Sequence, residues 1–415
     1  MSISTNHRAS SGVGVTYTAK QKSKWRQLLE HPLANYYLIA ASVALLVFLG
    51  VLMVLSSSSV FAANHTDSSY YYLWRQIMFL AIGVPAVWFL ATRSEKFLRF
   101  VAWPAIILSI LLLLAVWTPL GVERFDTRAW LNLGFTEIQP SELAKAALIL
   151  WSAAVLANRR KTLDQPLRLL VPLLPVQAVI LGLVVLQKDL GTAVIVIAII
   201  FSMLFFVGAP MRILVGLGVP VVGFLAMMIA FAPHRLERVI GFVTGQGMSS
   251  DQPLNAIYAL ATGGWWGVGL GGSRQKWGGL YNGAQTDYVF AVLGEEMGLL
   301  GSIVVIGLFA VLGYAGFRVA RFSTSPFLRL ASAGMTAWLM IQAVVNLMVV
   351  MRMAPVIGVP LPFISYGGSA LLANLIAIGV LLAAARLEPK AAKALAQSKQ
   401  HRTRVTGVVD ARTKR

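Results

Sequence analysis

Carboxylates at the ends of apolar runs are the first residues in this sequence that could do chemistry. Asp287 closes the polar stretch Gln285-Thr286-Asp287 and begins an apolar helical run. A carboxylate at such a point is either a helix N-cap or a general base. Glu295 follows two turns later on a nearby face of the same run, which makes it a candidate substrate contact.

A second group of polar residues opens another apolar run, at 138–145 with the sequence IQPSELAK. Ser141 or its neighbour is predicted to cap this helix. Glu142 and Lys145 are three residues apart and so share one helix face. They form either an internal ion pair or part of a substrate site, together with Arg128 from the preceding connection.

Three more connections carry polar residues beside apolar runs. Lys188 and Asp189 lie in the short stretch 187–192, where Asp189 or Thr192 is predicted to cap a helix and Lys188 could meet a diphosphate. Ser365 and Ser369 lie in 360–369, which predicts a proline-directed turn and a serine-capped helix. The glycine-rich stretch 263–272 contains GxGxxG, but no strand precedes it, so a dinucleotide site is not expected.

The elements that must position these residues are membrane helices. Hydrophobic residues make up 57% of the 415 and charged residues only 12%, against about 25% charged in a soluble domain. The sequence therefore predicts an all-α integral membrane protein of about ten transmembrane helices. The predicted spans are 37–56, 73–91, 99–118, 142–157, 169–186, 191–208, 213–232, 297–317, 329–350 and 369–385, of which the fourth and sixth are expected to be short.

The distribution of basic residues predicts the orientation of these spans. With the N-terminus inside, 25 of the 35 lysines and arginines fall on the inner face, so both termini are predicted to be cytoplasmic. The net charge of +19 therefore indicates contact with membrane lipid rather than nucleic acid. The predicted parts are a cytoplasmic tail (1–36), a membrane domain (37–388) with a large outer loop (233–286) folded against the bundle, and a basic tail (389–415).

Metal and thiol chemistry are limited by composition. The chain has no cysteine, and its five histidines show no HExxH or other zinc-ligand spacing. No intrinsic zinc site is therefore expected.

Taken in order along the chain, these motifs resemble the SEDS family of glycosyltransferases (FtsW/RodA). The resemblance covers about 37–389 and includes Arg75-Gln76, IQPSELAK at 138–145, QKDLGT at 187–192, Arg235 with Arg238, TDYVFAVLGEEMG at 286–298 and PLPFISYGGS at 360–369. The chain departs from the family pattern at Lys188, where proline is usual, and at Asn255, Gln285 and Arg352.

The resemblance implies polymerisation of lipid II at the outer face of the bacterial cytoplasmic membrane, with Asp287 as the essential aspartate. The implied partners are a class B penicillin-binding protein transpeptidase and other divisome proteins at the septum. The polar N-terminal tail and the AARLEP ending favour the division branch over the elongation branch. A divalent cation (Mg²⁺ or Mn²⁺) could bridge the substrate phosphates, and no organic cofactor is expected. The expected substrate-binding residues are Arg75, Arg128, Glu142, Lys145, Lys188, Asp189, Arg235, Arg238, Gln252, Glu295, Ser365 and Ser369.

Two other classes of function remain as alternatives. A lipid flippase would need polar residues near the middle of the membrane, whereas the charged residues here cluster at the outer boundary. A scaffold that only recruits division proteins would need no catalytic carboxylate.

Overall fold

The described part of the chain is mostly helical. The computed structural model describes residues 30–65, 68–124, 127–134, 136–159, 170–231, 233–244, 252–281 and 283–398. The helices, numbered in chain order, are α1 (Ala34–His65), α2 (Tyr71–Ala91), α3 (Glu95–Ala115), α4 (Pro140–Ala157), α5 (Leu174–Leu186), α6 (Leu190–Val207), α7 (Met211–Ala230), α8 (Pro233–Thr244), α9 (Gln252–Gly263), α10 (Val289–Phe322), α11 (Pro326–Val350) and α12 (Gly368–Arg386). Residues 389–398 are also helical.

Ten of these helices correspond to the ten predicted spans. Within the described residues, nine are long and apolar enough to cross a membrane, and α5 is apolar but has only 13 residues. The all-α membrane fold is thereby confirmed. The span predicted for 169–186 begins later than expected, because residues 171–173 form a turn and Pro175 lies in the first helical turn. The spans expected to be short, α4 and α6, each have 18 residues.

The centre of the bundle is formed by α4, α11 and α12. In the apolar stretches of α4 and α12, 83% of the residues are buried within the protein. In α7, which lies at the periphery, the share is 6%. Small residues allow close helix packing, as expected where apolar burial gives little drive between helices in lipid. Gly83 of α2 lies against Leu375 of α12, and Gly379 of α12 lies against Leu90.

A small antiparallel sheet, which the sequence analysis did not predict, lies between α3 and α4. Its strands are β1 (Gly121–Arg124), β2 (Thr127–Asn132) and β3 (Glu137–Ile138), in the order β1-β2-β3. Val122 pairs with Trp130, and Leu131 pairs with Ile138. The sheet leads directly into the first turn of α4.

Successive membrane helices alternate in direction, so five connections lie at the same end of the bundle. They join α1 to α2, α3 to α4, α5 to α6, α7 to α10 and α11 to α12. We call this end the site end, because it holds most of the candidate residues. The connection from α7 to α10 contains α8, α9 and a short 3-10 helix (Gln275–Trp277), and α9 packs on the first turns of α10.

Candidate active site

Asp287 lies at the site end, one residue before the residue that caps α10. The N-cap of α10 is Tyr288, and no side-chain cap bond is formed there, so the N-cap interpretation of Asp287 was wrong. The main-chain carbonyl of Asp287 accepts a hydrogen bond of 2.9 Å from Asn346 Nδ2 of α11. Its carboxylate faces Gly358, since Oδ2 lies 3.7 Å from where a Cβ of Gly358 would be. Gly358 has a positive φ of 70°, which favours glycine.

The loop between α11 and α12, which we call the 351–367 loop, is fastened to the residues around Asp287. Ser365 Oγ donates to the Thr286 carbonyl at 2.6 Å and accepts from the Leu361 amide at 2.8 Å. The Tyr366 amide donates to the Gln285 carbonyl at 2.8 Å. The prediction of a serine cap on α12 was wrong, because the N-cap is Gly367, with extended backbone and no side-chain cap bond. Ser365 joins two loops instead.

Tyr366 also extends an aromatic group at the site end. Its ring meets Tyr72 of α2 edge-on at 4.8 Å between centroids, and Tyr72 lies 5.9 Å from Phe61 of α1. Burial raises the pKa of Tyr366 to about 12, and the positive charge of Arg75 offsets this only in part. The phenol therefore stays protonated at neutral pH.

Ser369 and Asp189 are brought together by Gln139, just before α4. The Gln139 amide donates to Ser369 Oγ at 2.8 Å, and Gln139 Nε2 donates to Asp189 Oδ2 at 2.9 Å. Asp189 also accepts from the Thr192 amide at 3.0 Å, so of the two residues predicted to cap α6 it is Asp189 that does so. This polar group therefore joins the starts of α4, α6 and α12.

Glu142 and Lys145 form a buried ion pair on α4. Lys145 Nζ lies 2.8 Å from Glu142 Oε1, and the side chains of Lys145 and Glu142 are 1% and 4% exposed respectively. Lys145 also donates to Gln342 Oε1 of α11 at 3.1 Å, and Gln342 Nε2 donates to the Pro360 carbonyl at 3.0 Å. The pair is therefore linked to the 351–367 loop. The predicted cap by Ser141 was wrong, because Gln139 is the N-cap and forms no side-chain cap bond.

The candidate cations are spread over several elements of the site end. Arg75 donates to Thr136 Oγ1 at 2.8 Å and to the Tyr71 hydroxyl at 3.2 Å. Arg128 donates to the carbonyls of Val116 and Thr118, both at 3.1 Å, and so supports the turn before β1. The exposed residue Lys188 has a positive φ of 60°. Arg235 and Arg238 belong to α8, and their side chains lie outside the described part of the structure.

Glu295 is buried under the glycine-rich segment 263–272. Its carboxylate accepts hydrogen bonds from Ser273 Oγ at 2.5 Å and from the Arg274 amide at 3.0 Å. In the structure, both carboxylate oxygens of Glu295 thus accept hydrogen bonds from the protein itself. Gln252, at the start of α9, lies near Gly283, since its Nε2 is 3.7 Å from where a Cβ of Gly283 would be.

The glycine-rich segment is also held by the main chain of α10. The Val268 amide donates to the Glu295 carbonyl at 3.0 Å, and the Leu299 amide donates to the Gly264 carbonyl at 2.8 Å. These bonds are possible because α10 is kinked at Gly298, which has φ 68° and ψ −167°. The glycines thus serve close packing of two backbones.

Sequence reasoning missed four residues that hold the site together. Gln342 and Asn346 are four apart on α11 and so share one buried face. Lys276 and Glu296 form a second buried ion pair, at 3.0 Å. A signal for the two amides was present, because amides inside an apolar span are costly and therefore informative.

Within the described residues, no group of three or more His, Asp or Glu side chains could hold a metal ion.

The fold and the site together define a multi-pass membrane protein with a polar, carboxylate-containing site at one end of its helix bundle. Residues 36–390 match the model of the FtsW/RodA/SpoVE family, described as cell cycle protein. The chain belongs to this family, and the resemblance found in its motifs is confirmed.

Individual relatives cover most of the chain. It is 36% identical over 382 residues to a probable peptidoglycan glycosyltransferase FtsW of Mycobacterium tuberculosis, covering 91% of this chain and 73% of that protein. It is 34% identical over 352 residues to stage V sporulation protein E of Bacillus subtilis, covering 82% and 94%.

Solved structures share the fold. A chain of a peptidoglycan synthase complex, described as coordinating polymerization and crosslinking, superposes with a TM-score of 0.67 at 31% identity, covering 85% of this chain and 97% of that chain. RodA of Thermus thermophilus superposes with a TM-score of 0.61 at 30% identity, with the same two coverages.

Proposed function

We propose that this chain is a peptidoglycan glycosyltransferase that polymerises lipid II into glycan strands. The proposal is supported by relatives of that name that match most of the chain. The observation that carries it is the placement of Asp287. This carboxylate faces Gly358 at the point where two loops are fastened together by hydrogen bonds.

The reaction requires a base near a sugar hydroxyl. The 4-hydroxyl of one substrate attacks the anomeric carbon of the other, so that a C–O bond forms and the bond to the diphosphate oxygen breaks. The hydroxyl is a weak nucleophile, and its proton passes to the Asp287 carboxylate as the new bond forms. The undecaprenyl diphosphate leaves with the electron pair of the broken bond.

The leaving diphosphate needs positive charge. Arg75, Lys188, Arg235 and Arg238 are the cations that we assign to it, and an arginine can bind phosphate through two parallel hydrogen bonds. A Mg²⁺ or Mn²⁺ ion, if bound, would supply further positive charge between the phosphates. The apolar surfaces of the bundle would accommodate the two lipid tails.

We assign the site end to the outer face of the bacterial cytoplasmic membrane, with both termini cytoplasmic. The excess of lysine and arginine at the opposite end supports this orientation. The partner would be a class B penicillin-binding protein transpeptidase, and the location would be the division septum with other divisome proteins. The similarity to a chain of a synthase complex supports such a partner.

The test is polymerisation of lipid II by the purified chain, alone and with its transpeptidase partner. Asp287→Asn keeps the shape of the side chain and removes its basicity, so glycan products should fall by at least about 10²-fold, the lower range for general base catalysis. Glu123→Gln is the matched control, because it removes an exposed carboxylate at the same end of the bundle. Wild-type rates in Asp287→Asn would refute the role of the base.

The same samples separate the enzyme from a flippase. Vesicles that contain the purified chain and labelled lipid II are assayed for both translocation and polymer. Translocation without polymer, from wild type and from Asp287→Asn alike, would replace the glycosyltransferase proposal by a flippase.

A further inference from the structure

Asn346 contacts the two loops that meet at the proposed active site. It lies on α11, is 1% exposed, and uses its side-chain NH₂ group for two hydrogen bonds. One bond, of 2.9 Å, goes to the Asp287 carbonyl, and the other, of 2.8 Å, goes to the Val359 carbonyl. Both acceptors are carbonyl oxygens, so the orientation of the amide is fixed, because the side-chain oxygen cannot donate to them.

The two segments that Asn346 joins have no regular structure of their own. Asp287 precedes α10, and Val359 lies within the 351–367 loop, so neither belongs to a helical hydrogen-bond ladder. Gly358, which faces the Asp287 carboxylate, is next to Val359. A side chain that holds both carbonyls therefore sets the distance between the carboxylate and the wall of the loop opposite it.

The helix face that carries Asn346 makes further hydrogen bonds to the same loop and to neighbouring side chains. Gln342 lies one helical turn earlier on the same face and binds the next carbonyl of the loop, that of Pro360. Gln342 is itself held by Trp338 Nε1 at 2.8 Å and by Lys145 Nζ at 3.1 Å. Two amides of one helix thus hold two consecutive carbonyls of the loop, and Asn346 also binds the Asp287 carbonyl.

The arrangement includes an unsatisfied group. Asn346 Oδ1 is buried and has no hydrogen-bond partner within the described residues. A buried acceptor left without a partner costs about 1–3 kcal/mol. An apolar residue would avoid this cost, but it would leave the Asp287 and Val359 carbonyls without this donor, so the amide is kept for the two bonds that it makes to the loops.

We infer that Asn346 is a positioning residue for the reaction, which acts by holding the main chain of Asp287 against the 351–367 loop. The inference rests on the proposed function. Without the amide, the carboxylate loses its fixed position relative to the acceptor hydroxyl. Misplacement by about 1 Å can reduce an enzymatic rate by on the order of 10²-fold.

The test compares two buried asparagines of the bundle. Asn346→Leu removes the NH₂ group and keeps a similar volume. Asn374→Leu on α12 is the matched control, because Asn374 is also 1% exposed and has no described bond to Asp287 or to the 351–367 loop. The purified full chain, with its partner where activity requires one, is assayed for polymerisation rate, KM for lipid II and midpoint of thermal unfolding.

Asn346→Leu should lower the turnover number kcat at least about 10-fold, with KM within about twofold of wild type. Its unfolding midpoint should fall, because the Asp287 and Val359 carbonyls lose a donor, so turnover is compared at a temperature well below that midpoint. Asn374→Leu should keep the turnover number of wild type. An unchanged turnover number in Asn346→Leu, or an equal loss in Asn374→Leu, would overturn the inference. If Asn346→Leu does not fold, Asn346→Ser, which keeps one donor, is judged by the same criteria.

The outcome is separable from that of the proposed function. If Asp287→Asn abolishes polymerisation while Asn346→Leu keeps the wild-type turnover number, the proposed function stands and the positioning role fails. If Asp287→Asn is fully active, the proposed base is wrong, and the positioning role fails with it.

Discussion

Breaking the buried ion pair between Lys276 and Glu296 should destabilise the protein strongly. The two side chains are 2% and 0% exposed, and the charged atoms are 3.0 Å apart. Lys276 Nζ also donates to Ser56 Oγ of α1 at 3.0 Å and to the Gly271 carbonyl at 2.8 Å. Its three hydrogens are therefore all used, and the ammonium joins α1, α10 and the glycine-rich segment.

The magnitude follows from this burial. Lys276→Met removes one charge and leaves the Glu296 carboxylate buried without its cation, which should lower the free energy of unfolding by about 3–5 kcal/mol. The double variant Lys276→Met/Glu296→Gln removes both charges, and it should recover most of that loss. Ser56 Oγ, which donates to Glu296 at 2.6 Å, can still donate to the glutamine oxygen.

The small sheet between α3 and α4 contains a matched control pair. Arg124 and Glu137 are only 2.8 Å apart, but their side chains are 51% and 22% exposed. Removal of an exposed pair typically changes stability by about 0.2–1 kcal/mol, so Arg124→Gln should have a small effect. The similar N–O distances of the two pairs predict similar losses of unfolding free energy, whereas their different burial predicts a much larger loss for Lys276→Met.

The assay is denaturant unfolding in mild detergent, followed by circular dichroism, for these three variants and wild type. A loss for Lys276→Met no greater than that for Arg124→Gln would refute the reasoning from burial. A double variant less stable than Lys276→Met would refute the claim that the unpaired charge is the source of the loss.

Three further predictions concern other parts of the chain. Lys188→Pro should lower the free energy of unfolding by more than about 1 kcal/mol, measured by denaturation, because proline cannot adopt φ 60°. Gly191→Ala should lower both stability and polymerisation, since its Cβ would lie 2.1 Å from the Ile357 carbonyl oxygen. Burial raises the pKa of Glu388 above its usual 4.5, although its hydrogen bond with Asn35 opposes this. The folded state therefore holds this proton more tightly, and stability falls as the pH rises from 4.5 through the folded pKa. In Glu388→Gln, the free energy of unfolding measured against pH should no longer show this fall.

The membrane helices were predictable because each is a continuous apolar run, and the length of such a run is set by the bilayer. The exceptions have local causes. The helix α5 begins later than predicted, and Pro175 lies in its first turn. The small sheet between α3 and α4 was missed because its strands have at most six residues. Those strands alternate little between polar and apolar residues, so the period-2 signal is weak.

The candidate site was predictable only where partners are close in the sequence. Glu142 with Lys145 and Asp189 with Thr192 are three residues apart, and helix geometry alone predicts these contacts. Asn346 binds a carbonyl 59 residues away, a distance that no spacing rule spans. The caps predicted for the starts of α4 and α12 were wrong because Gln139 and Gly367 occupy the cap positions.

Glu142, Glu295 and Asp287 lie at the same end of the bundle but make different hydrogen bonds. Their substitution is therefore expected to affect stability and activity differently. Glu142 and Glu295 accept bonds from Lys145 and from Ser273, so their side chains hold helices and loops in place. Asp287 is anchored through its main-chain carbonyl, which a side-chain substitution keeps. Glu142→Gln, which leaves Lys145 buried and charged, should therefore lower the free energy of unfolding by about 3–5 kcal/mol. Asp287→Asn should abolish polymerisation, because an amide cannot take the proton of the sugar hydroxyl. Unfolding and polymerisation measured on the same preparations test both predictions, and a Glu142→Gln variant as stable as wild type would show that the buried ion pair does not hold α4 in place.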